Sequence, residues 1–427
     1  MKNLSLKILE KFPDPFVFAV LMNAFLCILS FFYFGVSFQN IASAFRTGYF
    51  SLFSFSMQMA LILLFGLTLA GSESFEKLLD RAAVHVSSPL TSVLAATLVS
   101  VVLSWLNWGF GLILGTVFAV RLAQKNRNTD FRLLVSCIYS GFIVWHGGLS
   151  GSIPLTVSTE GHSLQSKIGI IPLQNTVFSS FNLSLVLAVG AALSMANVFI
   201  LSRIEFPLIA ELPSEKKENP SSENGLLGSR IFSVLTAGAG TVLFISGFKS
   251  LDLNSVILIL FLLCLLLHRS AESFLKKAQQ SIHSVTGILV IFPLYGIIMS
   301  LLNIPLSDGS TMSGKIAEMM SGIADQTTYP FLTFITAGIL NLFIPSGGGQ
   351  WAVQGPSAAE AASRLGADIS RTVLAVSWGD AWTNLIQPFW AVPILSVSGL
   401  KVRDILGFCI IQLIVSGFII SFWFLVF

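Results

Sequence analysis

"NLFIPSGGGQWAVQGP", Asn341 to Pro356, holds two prolines, four glycines and three side-chain amides. Pro345 has no N–H and disrupts any helix before it, while Gly347, Gly348 and Gly349 put no side chain between the backbone and an approaching ligand. Such a stretch is either a loop between helices or a break in structure where something binds. Its surroundings decide between the two.

The chain has 427 residues, 54% of them hydrophobic and only 11% charged, with 37 phenylalanines and a mean hydropathy of +0.81. Soluble domains carry roughly 25% charge, and no water-soluble core absorbs this apolar surplus. Runs at Phe16 to Phe34, Leu52 to Ala70, Leu183 to Ile200, Ile231 to Phe248, Val256 to Leu267, Ile288 to Leu302 and Ile405 to Phe427 are long or nearly long enough to cross about 30 Å of hydrocarbon as helices. Uniformly apolar runs of this length exclude barrel strands, so the fold class is an all-α polytopic membrane protein. The first run has no convincing small-residue cleavage site and reads as span one, not as a signal peptide. Cys27, Cys137, Cys264 and Cys409 sit in apolar segments with neither disulfide nor metal spacing, and read as packing residues. A formal charge of +3 gives no argument for nucleic acid.

Basic residues set the expected orientation. Lys2, Lys7 and Lys11 place the amino terminus in the cytoplasm, as Lys77 and Arg81 do the loop after the second span. The apolar stretch Ser88 to Ala123 then ends among Arg121, Lys125, Arg127 and Arg132, so both its ends prefer the same side. A re-entrant hairpin over about 88–123, turning at "NWGFG" (Asn107 to Gly111), satisfies both ends. The polar loop Glu211 to Gly225 marks a cytoplasmic linker over 211–230, followed by a linking span over 231–250. Lys276 and Lys277 mark a later cytoplasmic turn, and the acidic loop with Asp308, Glu318 and Asp325 falls outside.

Sliding the chain along itself until Asn107 meets Pro345 lays "NWGFG" on "PSGGG" and "GFIVWHGGLSGSIP" (141–154) on "GDAWTNLIQPFWAV" (379–392). Gly109, Gly111 and Gly141 meet Gly347, Gly349 and Gly379. With equal span spacing and opposite predicted orientation, this indicates two inverted-topology repeats, 1–210 and 251–427, each with a hairpin and an interrupted transmembrane helix. The opening stretch becomes the tip of a second hairpin over about 329–364: Phe331 to Ile344 runs in, Pro-Ser-Gly-Gly-Gly turns, and Trp351 to Ala362 returns. N–H groups at the start of that returning half-helix form an anion receptor without lysine or arginine.

Candidate substrate residues follow from these breaks. They are Asn107, Gly109 and Gly111 at the first tip, and Ser346, Gly347, Gly348, Gly349, Gln350, Trp351 and Gln354 at the second. In "WHGGLSGSIPL" they are His146, Gly148, Ser150 and Ser152; in "SWGDAWTNLIQPFW" they are Asn384 and Gln387. The bland reading of glycines and small polar residues is close helix packing, and that of His146 is a helix-packing hydrogen bond. The sharper reading of His146 is a substrate contact or a proton relay. Asp380, an acid well inside an apolar segment, needs a cation, a proton or close donors, and with Thr383 is the candidate ion-coupling residue for Na+ or H+. Its bland reading is a hydrogen bond to the hairpin. All the tryptophans but Trp423 fall in these segments, which suggests walls around a small, partly apolar pocket. No metal site beyond a transported Na+, no cofactor and no catalytic group is expected.

"NWGFG", "WHGGLSGSIPL", "NLFIPSGGGQWAVQGP", "SWGDAWTNLIQPFWAVP" and "PDPFVFAV" (13–20) together resemble the bacterial short-chain fatty acid transporter family, over nearly the whole chain. That resemblance implies inner-membrane uptake of short-chain carboxylates such as butyrate and acetoacetate. More distantly, the ion transporter superfamily implies scaffold and transport domains, two re-entrant hairpins and often a homodimeric elevator mechanism. The alternatives are a carrier or exporter of dicarboxylates or amino-acid derivatives, and a small-solute channel. With no paired catalytic acids, zinc spacing or phosphate loop, an enzyme is disfavoured. The orientation is open to test: in a background without the native cysteines, a cysteine at Ser310 is expected to label from outside the cell, and one at Glu215 only from inside.

Overall fold

The computed structural model describes residues 15–84, 86–162, 164–204, 230–247, 253–268, 270–312, 315, 324–344 and 347–427. The amino-terminal lysines, the linker 211–225, Glu318 and the tip residues Pro345 and Ser346 lie outside them. All the regular structure described is helical. Six helices are long and apolar enough to cross a membrane, or seven if Ala271–Ser281 and Thr286–Leu302, bent by 58°, form one span.

The chain enters through α1 (Pro15–Phe32), α2 (Phe38–Ser51) and α3 (Phe53–Ala70). The sequence reading begins its second span at Leu52, but the helix pair runs as one 32-residue stretch from Phe38 to Leu69. Gln39, Asn40, Arg46 and Thr47 dilute the apolar signal there, and Ser37 caps the helix by accepting from the Asn40 N–H. An amphipathic helix, α4 (Glu73–Val84), follows.

Next come α5 (Pro89–Leu106) and α6 (Trp108–Lys125), each about 27 Å long at 1.5 Å per residue. They fold back on each other as a helical hairpin. Ser88 and Thr91 form a capping box with Pro89 at the first helical position, an assembly that starts α5 sharply. Asn107, extended at φ −158°, ends α5, and its side-chain oxygen accepts from the N–H groups of Gly109 and Phe110 to start α6. At the other end the Asn126 amide donates to Val86 O and Ser92 Oγ, each at 2.8 Å, so the hairpin's two feet stand together.

The second hairpin pairs α14 (Tyr329–Asn341) with α15 (Gly347–Leu365). The Tyr329 hydroxyl donates to Ala358 O at 2.9 Å and the Gln326 amide to Gly366 O at 2.7 Å, again joining the feet. Here the structure corrects one expectation. Gly347 to Gly349 are the first turn of α15, not part of the turn between the arms. Glycine's poor helix propensity matters little where the first N–H groups lack intrahelical partners anyway.

After each hairpin comes a broken helix. Asp130 caps α7 (Phe131–Gly141) by accepting from the N–H groups of Arg132 and Leu133. Asp368, at the corresponding place after the second hairpin, caps α16 (Ile369–Thr383) by accepting from Ser370 and Arg371 in the same way. α7 tightens into a 3-10 turn, Phe142–Gly147, becomes extended at Gly148 and resumes as α8 (Ser152–Ser158). α16 tightens at Asn384–Ile386, is extended at Gln387 and resumes as α17 (Pro388–Ser398), its proline at the first position. An 18-residue window of the stretch Phe131–Ser158 is 94% buried, so its centre is an interior element enclosed by protein.

The remaining longer helices are α9 (Ser180–Leu201), α10 (Arg230–Gly247), α11 (Leu253–Leu267), α12 (Ala271–Ser281), α13 (Thr286–Leu302) and α18 (Val402–Val426). α9 and α18 clamp the first broken helix through a buried polar knot. The Asn197 amide donates to Thr97 Oγ1 at 3.0 Å and Ser140 Oγ at 3.3 Å, while the Gln412 amide donates to Asn197 Oδ1 at 2.7 Å. Asn197→Ala strips partners from three buried groups at once. It is expected to cost about 1–2 kcal/mol, the upper range for polar contacts between membrane helices, read from unfolding in mixed detergent.

Candidate functional site

The first break sets His146 against the second broken helix. Its Nδ1 lies 3.0 Å from Ser377 O and 3.0 Å from Asp380 Oδ2, and its Nε2 lies 3.0 Å from Ser152 Oγ. Histidine and aspartate side chains are both fully buried. The His146–Asp380 contact is close without being a hydrogen bond: the alignment favours the Ser377 carbonyl, and both Asp380 oxygens are left with no hydrogen-bond partner among the described residues. An ionised carboxylate so placed is costly unless a proton or cation joins it. Trp145 stacks on the imidazole at 3.6 Å between ring centres.

The second hairpin closes over this pair. A Cβ at Gly347 would lie 2.2 Å from His146 Cε1 and 2.5 Å from Ser152 Oγ, so only glycine lets the α15 backbone rest there. Gly348 is exposed, with nothing within 4 Å of a Cβ placed on it, and Gly349 is half-buried. The first turn of α15 therefore presents backbone both to His146 and Ser152 and to open space.

Beside it the amides interlock. The Asn341 amide donates to Thr383 Oγ1 at 2.9 Å and Asn384 Oδ1 at 2.8 Å, the Thr383 hydroxyl donates to Gly338 O at 2.8 Å, and the Gln387 amide donates to Asn341 O. The Tyr139 hydroxyl reaches across from α7 to the carbonyls of Asn384 and Gln387. Gln350 donates to Ala337 O at 2.9 Å and to Gln354 Oε1 at 3.2 Å. With those donors spent, Asn341 Oδ1, Gln350 Oε1 and Gln387 Oε1 remain buried acceptors without a partner among the described residues, as Asn384 Nδ2 remains a donor. Among the described residues no group of three or more histidines, cysteines or acids is placed to hold a metal ion.

Other predicted binders serve the architecture. Asn107 is the cap of α6. Gly111 allows the hairpin arms to meet, because a Cβ there would strike Ser104, and a Cβ on Gly109 would come within 2.9 Å of the Ile62 side chain. Ser150 Oγ accepts from the Trp108 N–H at 2.9 Å, the Leu149 N–H donates to Trp105 O at 2.7 Å, and a Cβ on Gly148 would lie 2.2 Å from that same carbonyl oxygen. These contacts fasten the first tip to the first break. Trp108, Trp145 and Trp390 form an aromatic cluster, with Trp390 centred 5.4 Å from Trp108 and 5.5 Å from Trp145, and Trp351 is buried against Ile153 and Val157. Trp378 instead donates to Asn182 Oδ1, and Trp382 faces α18 through Leu413 O.

Sequence reasoning missed three participants. Asn182, whose amide donates to Gly147 O at 2.8 Å, is signalled only by an amide near the start of an apolar helix. Asn341 stands in the quoted stretch, and Tyr139 has no signal beyond lying before the break. Nor does sliding the sequence along itself find Asp380 for His146, since it aligns His146 with Asn384. The alignment pairs equivalent positions in the two halves, not positions that touch, so it says nothing of the His146–Asp380 contact.

A family model described as short chain fatty acid transporter matches residues 2–427. The chain belongs to the short-chain fatty acid transporter family. It is 33% identical over 420 residues to a protein of Escherichia coli (strain K12), covering 95% of this chain and 94% of that one. It is 34% identical over 436 residues to one of Haemophilus influenzae (strain ATCC 51907 / DSM 11121 / KW20 / Rd), covering 97% and 96%. Both are provisionally named short-chain fatty acid transporter. A fainter structural likeness is to the crystal structure of the Alcanivorax borkumensis YdaH transporter, with 13% identity, a TM-score of 0.46, and 96% of this chain and 98% of that one covered.

The protein is a multi-pass membrane protein, and its family is one of transporters, not of enzymes. Its glycines at 148 and 348 have opposite tolerances. Gly148→Ala is expected to lower the melting midpoint of the purified transporter by several degrees, because the new Cβ meets a backbone carbonyl. Gly348→Ala is expected to leave it unchanged.

Proposed function

We propose that this transporter takes up butyrate- or acetoacetate-like monocarboxylates across the bacterial inner membrane by alternating access, coupled to Na+ or H+. The observation that carries the reading is the meeting of a donor-poor buried acid with a backbone receptor. Asp380 lies unsatisfied beside His146, and His146 Nε2 and Ser152 Oγ touch the start of α15 at Gly347.

The two charges of symport are then handled by different chemistry. The carboxylate binds at the N–H groups of the first turn of α15, around Gly347 to Gln350, aided by the helix dipole and by Ser152. Its short tail lies against the aromatic cluster. The co-transported cation answers the surplus acceptors: a proton on Asp380 or His146, or Na+ drawn by Asp380 with the unpartnered oxygens of Asn341 and Gln387. That none of these contacts involves an arginine favours one carboxylate over two.

Asp130 and Asp368 cap their helices at the same sequence offset that relates Gly109 to Gly347, with hairpin and broken helix in the same order in each half. This supports two inverted repeats, the hairpins entering from opposite sides. In that arrangement the hairpins and broken helices form the transport domain. They move against a scaffold that includes α2, α3 and α13, as in an elevator, with a homodimer supplying the fixed frame. Alternating access also favours a carrier over a channel, and acceleration of efflux by substrate on the far side would distinguish the two.

Purified protein in proteoliposomes is expected to take up labelled butyrate or acetoacetate faster under an inward Na+ or H+ gradient. Asp380→Asn is expected to abolish that stimulation and His146→Ala to lower uptake by about tenfold or more, equivalent to about 1.4 kcal/mol or more of lost stabilisation. Failure of uptake under either gradient would overturn the reading. Acceleration by only one ion names the coupling ion.

A further inference from the structure

Away from the broken helices, the end of α3, the last turns of α6, α12 and the end of α17 enclose a cleft of about 290 Å³. Its lining is divided. Leu67, Val117 and Val120 make it apolar on one part, and Arg121, Gln124 and Lys277 make it polar and cationic on another. Arg121 and Lys277 are both half-buried. Lys277 makes no ion pair among the described residues, whereas its neighbour Lys276 is held by Glu272 at 2.9 Å. The Lys277 stem lies directly over Gly71, where a Cβ would meet Lys277 Cε at 2.0 Å. Gly71 thus leaves room for the Lys277 stem at the edge of the cleft.

The setting is basic as well. Lys125 at the end of α6 donates to Ala83 O at the end of α4, which brings Arg81 and Arg127 to the same end of the molecule. Apolar side chains and two cations lining one cleft match an amphiphile with one anionic group. A dilute carboxylate gains little from half-exposed cations in salt water, each worth about 1 kcal/mol or less. A membrane lipid is already concentrated around a membrane protein, so the same cations suffice.

We propose that this cleft is a binding site for an anionic phospholipid. The phosphodiester is held by Arg121 and Lys277 with Gln124, and the first methylenes lie along Val117 and Val120. The walls come from α3 and α12 on one side and from α6 of the first hairpin and α17 on the other, so a bound lipid bridges two parts of the bundle. The site stands independently of the transport reading, because its test measures binding alone.

Delipidated full-length transporter in neutral detergent is titrated with short-chain phosphatidylglycerol, following the melting midpoint and the bound lipid by native mass spectrometry. Phosphatidylcholine, butyrate and inorganic phosphate are titrated in parallel. Phosphatidylglycerol is expected to raise the midpoint and remain bound, and the others are not. The double variant Arg121→Gln/Lys277→Gln is expected to weaken apparent affinity by about tenfold or more, while Lys276→Gln leaves it unchanged. If the double variant does not fold, Gln124→Trp, which fills the cleft, is expected to abolish retention of the lipid. Equal shifts from phosphatidylcholine, equal shifts from butyrate or phosphate, or full retention of phosphatidylglycerol by the cleft variants would overturn the proposal.

Discussion

A break in a helix inside a membrane frees backbone groups that lipid cannot satisfy, and this constraint organises the whole molecule. The chain breaks twice in its interior, after α7 and after α16, and each break is satisfied by elements from elsewhere in the sequence. Leu149 N–H finds Trp105 O at the first hairpin tip. Asn182 covers Gly147 O, and Tyr139 covers the carbonyls of Asn384 and Gln387. Few of these partners are local, so neither broken helix is stable until the bundle has closed around it.

The same accounting explains why the glycines cluster. Gly148 lies against a carbonyl of the first hairpin, and Gly347 lies against an imidazole and a hydroxyl of the first break. Backbone can cover a break only if it approaches more closely than a Cβ allows. Conformational freedom is secondary at these positions, since neither has a positive φ.

Much of this was legible in sequence because the physics involved has a short range. Apolar runs and the paired breaks announce themselves within a few residues; the caps Ser88, Asn107, Asp130 and Asp368 are equally local but emerge only from the structure. The helix Phe38–Ser51 escaped because its polar residues mask a mainly apolar face. The site was legible as two regions and illegible as contacts. Nothing near His146 in the chain indicates Asp380, which lies in the other half of the sequence, and a repeat alignment gives equivalent positions but not contacts. Nor does composition distinguish a glycine facing open space, Gly348, from glycines wedged between helices, Gly109 and Gly111.

The leftover polar atoms give the chemistry its direction. Once the internal bonds are made, the side chains around the second break retain mostly oxygens: two on Asp380 and one each on Asn341, Gln350 and Gln387. Oxygens repel a carboxylate and attract a proton or Na+. The groups suited to a carboxylate are main-chain donors at the start of α15, which rests on the same His146 that Asp380 touches. In a low-dielectric interior neither ion enters cheaply alone, because each would be a buried unpaired charge. In the proposed symport a proton or cation at Asp380 would remove the negative charge that repels an anion at Gly347 to Gln350, and so raise affinity for it; by reciprocity the anion would raise affinity for the cation. Coupling in such a site would require no separate linkage, because both receptors lie against His146.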